Sequence, residues 1–151
     1  MGSEMCIRDR SKEAKLVSEN VLTFEELLSK DKKNLSLKPL NAKALLHGHC
    51  HQKAFNVLKP VENVLKMIEG LEVETIETSC CGMAGVFGYS KETYKISKEM
   101  AEKDLLPQIR QAEIGAILIA DGTSCRSQIA DGTEKNAIHV ARLLDKQLTE
   151  N

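Results

Sequence analysis

A short apolar run, a cysteine-bearing turn and helical material follow one another three times along this chain of 151 residues. The apolar runs cover about 42–47, 72–77 and 116–120. The turns behind them hold Gly48-His49-Cys50-His51, Cys80-Cys81-Gly82 and Asp121-Gly122-Thr123-Ser124-Cys125. Strands that alternate with helices imply right-handed crossovers and a parallel sheet. Turns that follow parallel strands leave the sheet at one edge, which is where open α/β folds bind ligands. The pattern therefore predicts an α/β fold, a small parallel sheet of βα units with its cysteine-bearing turns at the C-terminal edge of the strands, preceded by an N-terminal helix. It further predicts that Cys50, Cys80, Cys81 and Cys125 share one rim although they lie far apart in sequence.

Local signals give each unit approximate bounds. Ser11 to Lys30 reads as helix, with Thr23 and Glu26 as a capping box and Phe24, Leu27 and Leu28 as its apolar stripe. A polar connector runs from Asp31 to Asn41. Pro60 suits a helix start and Gly70 a stop, which gives a helix over 60–68. In the second strand Val73 and Thr75 alternate with Glu72, Glu74 and Ile76. Ser90 is placed to cap a helix carrying Tyr94, Ser97, Ala101 and Leu105 at helical spacing. The uniformly apolar third run suits a central strand covered on both faces. A last amphipathic helix carries Ala137, Ala141, Leu144 and Leu148. Residues 1–10 show neither periodicity nor turn logic and resemble adapter-derived read-through, so they and Cys6 are set aside. That leaves 11–41 as helix and connector, and 42–151 as the cysteine-bearing domain.

Composition narrows the chemistry. A net charge of −1 offers no basic field to nucleic acid or anionic lipid. With aromatic residues at 3% and no Trp, there is no base-stacking surface. No apolar run approaches a membrane span and no signal-peptide pattern appears, so a cytoplasmic location, or one peripheral to the inner face of the membrane, is expected. Cytoplasmic thiols stay reduced, and clustered cysteines there read as ligands or redox groups before they read as disulfides. The Gly-rich nucleotide fingerprint, the Walker loop and the G-x-S-x-G elbow are all absent from the sequence, so it offers no nucleotide or flavin site of its own.

Thiolate is the ligating form of cysteine, and a turn entering a helix N-terminus lowers the thiol pKa. Four thiolates can hold zinc or an iron–sulfur cluster. Gly82, Gly85 and Gly88 let the backbone close on a bulky centre and turn N–H groups toward it. The plainer reading is a glycine-rich turn with semi-buried thiols, since free Cys is commonly buried. The position of each cysteine after a strand favours the ligand reading. His47, His49 and His51 alternate about Cys50. In an extended segment they share one face, with the thiol on the other. His49 and His51 are secondary candidates as ligands or supporting donors; each also reads as an ordinary hydrogen-bonded histidine at a strand end, and His139 as solvent-facing or packing. Arg126 can neutralise a thiolate centre or bind a carboxylate, or simply sit at the surface near a helix start. Three readings of the thiols stay open: an iron–sulfur cluster, zinc, or a metal-free dithiol pair at Cys80 and Cys81.

The segments His47-Gly48-His49-Cys50-His51-Gln52-Lys53-Ala54, Cys80-Cys81-Gly82-Met83-Ala84-Gly85 and Gly122-Thr123-Ser124-Cys125-Arg126 together resemble the cysteine-rich CCG domain. That domain occurs in iron–sulfur subunits of glycolate oxidase and anaerobic glycerol-3-phosphate dehydrogenase, and in heterodisulfide reductase. The likeness extends to the C-terminal part of large fused D-lactate or D-2-hydroxyglutarate dehydrogenase-like enzymes, in which an FAD-linked oxidase domain precedes ferredoxin-type clusters. The resemblance implies metal ligation at Cys50, Cys80, Cys81 and Cys125, with electrons arriving from FAD on an upstream domain and leaving toward a quinone or another carrier. Gln128 stands where the family pattern has a fifth cysteine. This argues against a noncubane cluster that uses the full set, while four thiols suffice for a simpler cluster or for zinc.

Overall fold

The computed structural model describes residues 12–31 and 35–149. The expected leader 1–10 with Cys6, together with Ser11 and residues 32–34 of the connector, lies outside the described residues. Eleven elements follow in order: α1 (Lys12–Asn20), α2 (Phe24–Lys30), β1 (Ala42–His47), α3 (Cys50–Ala54), α4 (Leu58–Leu65), β2 (Leu71–Thr75), α5 (Tyr94–Lys103), α6 (Leu105–Gln111), β3 (Ile117–Ala120), α7 (Thr123–Thr133) and α8 (Val140–Gln147).

The three strands form one parallel sheet in the order β2-β1-β3. β1 is central, pairing Ala42 through Leu46 with Leu71 through Thr75 on one side and Ala44 through His47 with Ile117 through Ala120 on the other. The sequence pattern assigned the central place to the 116–120 run because it is apolar throughout. The sheet instead centres on Ala42–His47, and β3 gains cover beyond its outer edge from a parallel bridge between Ile119 and Ile138. The Ala120 N–H donates to the Ile138 carbonyl and the Ile138 N–H to the Leu118 carbonyl, so this short segment stands in for a fourth strand.

Each face of the sheet carries its own core. One is aliphatic, with Ala44, Leu46, Leu71 and Ile119 of the strands against Val61, Val64, Leu65 and Ile68 and against Val140, Leu143 and Leu144 of α8. The other gathers Leu45, Leu118 and Ala120 under Ala101 of α5, Leu105, Leu106 and Ile109 of α6 and Ile129 of α7, and it includes Cys81 and Cys125. Side chains alternate along a strand, so Leu45 and His47 point to this second face while Ala44 and Leu46 point to the first.

Several expectations need correction. The N-terminal stretch is two helices rather than one, because the Thr23–Glu26 capping box starts a new helix at Phe24. On α2, Phe24 and Leu27 are exposed; only Leu28 of the expected stripe packs against the aliphatic core. The Pro60 helix spans Leu58–Leu65 rather than 60–68: the proline sits inside its first turn, where its missing N–H leaves no bond unmade, and the helix ends at a Lys66 cap, short of the expected stop at Gly70. Ile76 shares the face of Glu72 and Glu74 as expected, since their partners Lys43 and Leu45 lie on that side, but it falls just past the end of β2 and is buried with Leu45 in the second core. The helix expected to run on to Leu105 breaks at Asp104 into α5 and α6, and Tyr94 is exposed. In the last helix the buried stripe is Val140, Leu143 and Leu144, and Leu148 leaves the helix to bridge Leu37.

Candidate metal centre

Three strand ends deliver the site. β1 ends at His47 and passes through Gly48 and His49 into α3, whose first residue is Cys50. The chain enters a helix here because His49 caps it. The His51 N–H donates to His49 Nδ1 and the His49 N–H to Gln52 Oε1. This early helix start overturns the expectation that His47, His49 and His51 share a face, since strand alternation stops at His47. Past β2 the chain makes a tight turn at Gly82, whose φ is +81°. A Cβ at Gly82 would fall against the Ser97 carbonyl oxygen, so a side chain here is excluded twice over. The Gly82 N–H donates to Cys80 Sγ at 3.3 Å. After β3, Gly122 precedes α7, and Cys125 sits in that helix's first turn. A Cβ on Gly122 would press on the His49 ring and lie 3.0 Å from Cys125 Sγ.

These turns bring the chemistry together. Cys125 Sγ donates to Cys81 Sγ at 3.4 Å, both residues being buried. A ring nitrogen of His47 and the sulfurs of Cys81 and Cys125 all lie within 4.8 Å of one another. Cys50 and Cys80 are half-buried beside this cluster, close enough for Cys80 to act on the Cys50 thiol. The thiol hydrogen bond from Cys125 holds the Cys81 pKa well below the ordinary thiol value, with the His47 ring and the Met83 N–H acting in the same direction and burial opposing. The same contact, together with burial, pushes Cys125 up. Burial first, and then its contact with Cys80, raises Cys50. The cluster can therefore keep one buried thiolate, stabilised by a neighbouring thiol, without a disulfide among these cysteines.

Supporting bonds tie the turns to one another. The Lys53 ammonium donates to the carbonyls of Thr78 and Ser79, joining α3 to the Cys80 turn. Gln52 Nε2 donates to Asp121 Oδ2 at 2.7 Å, and Asp121 Oδ1 accepts the Val140 N–H, joining α3, the Cys125 turn and α8. Gln128, at the position of the family's fifth cysteine, is buried. Its Nε2 donates to the Cys81 carbonyl at 3.0 Å and to the Ser97 carbonyl and hydroxyl at 3.2 Å each. Those carbonyls only accept, which fixes the amide orientation and leaves Gln128 Oε1 without a partner.

The remaining sequence candidates fall around the rim. His49 is half-buried and its pKa is lowered, by burial first and by His51 next. His51 is exposed and meets the His49 ring edge-on, with centroids 5.1 Å apart. Gly85 has φ +53° with open space around its α-carbon, on the loop beyond Gly82. The Arg126 guanidinium donates to the carbonyls of Ala120 and Asp121 and to the Thr123 hydroxyl, closing off the end of β3. His139 caps α8, accepting the Ala141 N–H. The sequence pattern raises all three histidines as donors and retains His49 and His51, not His47. Its signal was strand parity with Leu45, hidden by the run of alternating histidines that follows.

Whether these residues suit a metal or cluster can be tested on the atoms themselves. His47 is 1% exposed, its Nδ1 lies 3.0 Å from the Thr78 hydroxyl, and its Nε2 has no hydrogen-bond partner. A buried polar atom without a partner is costly, and its ring has a nitrogen within 4.8 Å of two soft sulfur donors. Sulfur with imidazole nitrogen is a donor set that suits zinc or cluster iron. The residues fit the group.

A parallel sheet whose strand ends converge four thiols on one rim defines a cysteine-rich α/β module. The chain belongs to the CCG cysteine-rich domain family, whose model matches residues 44–130. The relatives it matches include subunits of a dehydrogenase and a reductase, and D-2-hydroxyglutarate dehydrogenases. It is 34% identical over 118 residues to one component of the anaerobic glycerol-3-phosphate dehydrogenase of Escherichia coli (strain K12), covering 77% of this chain and 29% of that protein. It is 31% identical over 97 residues to the D-2-hydroxyglutarate dehydrogenase of Pseudomonas putida, covering 62% of this chain and 9% of that protein. It is 26% identical over 129 residues to one component of the fumarate reductase (CoM/CoB) of Methanothermobacter marburgensis, covering 83% of this chain and 26% of that protein. The chain thus spans less than a third of the length of these relatives. No solved structure matches it. Among the described residues no helix is long and apolar enough to cross a membrane.

Proposed function

We propose that residues 42–151 form an iron–sulfur-binding electron-transfer module of a cytoplasmic FAD-linked oxidoreductase acting on a D-2-hydroxy acid. Cys50, Cys80, Cys81 and Cys125 are its thiolate ligands. The observation that carries this reading is the convergence of the two buried sulfurs, 3.4 Å apart, with two half-buried thiols beside them. The substrate class is supported by the likeness to the D-2-hydroxyglutarate dehydrogenases, and the flavin by the resemblance of the three cysteine motifs to the CCG domain of FAD-linked enzymes. When bound, the cluster would accept and release single electrons between an upstream flavin or ferredoxin-type domain and a quinone or other carrier.

The chain's own residues then have separable roles. Cys81 and Cys125, the latter in the first turn of α7, are buried in the core with residues of α5 and α6. Gly82 turns its N–H onto Cys80 and keeps the turn tight. Lys53 and Gln128 hold the backbone on either side of the Cys80-Cys81 pair. Gly85, His49, His51 and Arg126, carried by the same three turns, would border the bound group.

Anaerobic reconstitution with ferrous iron and sulfide tests the reading. A visible absorption band with matched iron and sulfide, lost in Cys125→Ser, is the expected result. A colourless protein that takes up zinc on the same thiols would replace it with a structural zinc module. An unaltered chain that binds no metal, with thiol-redox activity unaffected by Cys125→Ser, would leave a dithiol domain.

A further inference from the structure

We propose that His47 is itself a ligand, so that the centre has mixed nitrogen–sulfur coordination rather than an all-thiolate shell. The inference rests on the metal-binding reading above and adds a donor atom to it.

Three observations converge on His47 Nε2. It belongs to a residue that is 1% exposed, and it is one of two buried side-chain polar atoms among the described residues that have no partner. A ring nitrogen of this residue shares a 4.8 Å cluster with the two most buried thiols. The opposite nitrogen, Nδ1, is engaged by the Thr78 hydroxyl at 3.0 Å.

That last contact matters most. A ligating imidazole commonly uses one nitrogen for the metal and gives the other N–H to an outer acceptor, which fixes tautomer and ring orientation. The Thr78 hydroxyl has two lone pairs and a rotatable proton. It already accepts from Lys53 Nζ at 3.3 Å and can take the Nδ1–H as well, which leaves a bare lone pair on Nε2. Lys53 also donates to the Thr78 carbonyl, so the acceptor is held in place from two sides. The arrangement is an imidazole with one nitrogen already partnered, the other left unpartnered, and a ring nitrogen within 4.8 Å of both buried sulfurs.

Gln128 gives the arrangement a reason. An amide that donates to the Cys81 carbonyl replaces the sulfur a fifth cysteine would bring. His47 then supplies a donor from the strand side, with Cys81, Cys125 and one of Cys50 or Cys80 completing four. Binding a divalent cation here displaces thiol protons to solvent and involves no change of oxidation state.

The test uses Co(II) and Zn(II) as probes on the full chain, stripped of metal and kept anaerobic. X-ray absorption of the Zn(II) form should show one imidazole nitrogen in a sulfur-rich shell. Co(II) affinity should fall by at least about 10–100-fold in His47→Ala, more than for loss of an outer partner alone. His47→Cys should bind Co(II) again, with its d–d bands moved to longer wavelength as sulfur replaces nitrogen. Recovery in that variant also shows that the fold survives change at this position. Thr78→Val should weaken binding while keeping the nitrogen signature. An all-sulfur shell in the wild-type chain, with His47→Ala binding unchanged, overturns this inference and leaves the metal-binding reading intact. Failure to bind Co(II), Zn(II) or iron and sulfide in any form overturns both.

Discussion

The two faces of one small sheet are built to different ends. The face toward α4 and α8 is lined by Ala44, Leu46, Val61, Val64, Leu65, Ile68 and their neighbours, aliphatic throughout. The polar groups at its margin pair off, as Glu62 does with Lys59 at 2.9 Å and with the Thr75 hydroxyl at 2.8 Å. The face toward α5, α6 and α7 buries two thiols, and His47, Ser97 and Gln128 lie with them. Both buried side-chain polar atoms without a partner among the described residues, His47 Nε2 and Gln128 Oε1, lie on that side. Burying polar atoms without partners costs stability that aliphatic packing would not. One face holds the fold together, and the other accepts that cost around a site.

The contrast predicts that the two faces respond differently to substitution. The largest effect belongs to the aliphatic side. Leu65 is fully buried, and Leu65→Ala should cost about 2–5 kcal/mol in denaturant unfolding. Metal stoichiometry of the protein that remains folded should be unchanged. Equal loss of metal would mean that the faces are not separable.

Gly82→Ala comes next and should touch both properties. The left-handed backbone and the approach of the Ser97 carbonyl together predict a loss of about 1–3 kcal/mol. Metal uptake should fall as well, because the Cys80-Cys81 turn can no longer close. Normal uptake by a destabilised variant would detach the turn from the site.

Thr23→Ala removes the cap of α2 and should lower stability by about 1 kcal/mol with no effect on metal. Chemical denaturation alongside a metal titration reads both.

The smallest effect is electrostatic. Lys59, with help from Thr75, holds the Glu62 carboxyl below its usual range against the effect of burial. A depressed carboxylate stabilises the fold above its unfolded pKa, and that contribution disappears as pH falls through the folded value. Glu62→Gln should therefore flatten the acid limb of the stability curve below about pH 4.3 by no more than about 1 kcal/mol. Stability at neutral pH should drop by a similar amount. A metal-dependent acid limb would instead implicate the thiol face.

Much of the frame could be read from the sequence because it rests on local rules. The three strand–turn–helix units, the capping box at Thr23 and the tight turn at Gly82 each follow from a few neighbouring residues. The placement of the four cysteines at strand ends follows in the same way. What escaped depended on distant partners. The sheet order makes β1 central, and only the pairing of Ile119 with Ile138 explains why β3 need not be. The break at Asp104 gives α6 its own direction, burying Leu105, Leu106 and Ile109, which no single helical period over 94–105 anticipates. His47 drops out of the sequence candidates because its role turns on where strand alternation ends. The His49–Gln52 cap sets that boundary, and the alternating histidines disguised it.

The central claim is that the two half-buried thiols join the two buried ones around a common centre. Thiol alkylation of the full chain, mapped by mass spectrometry with and without bound metal, tests it most directly. In the metal-free protein Cys50 and Cys80 should label readily and Cys81 and Cys125 slowly, in line with their burial. Loading with metal should protect Cys50 and Cys80 as well, and a chelator should restore their labelling. Equal labelling of Cys50 and Cys80 in the loaded and metal-free forms would contradict the account.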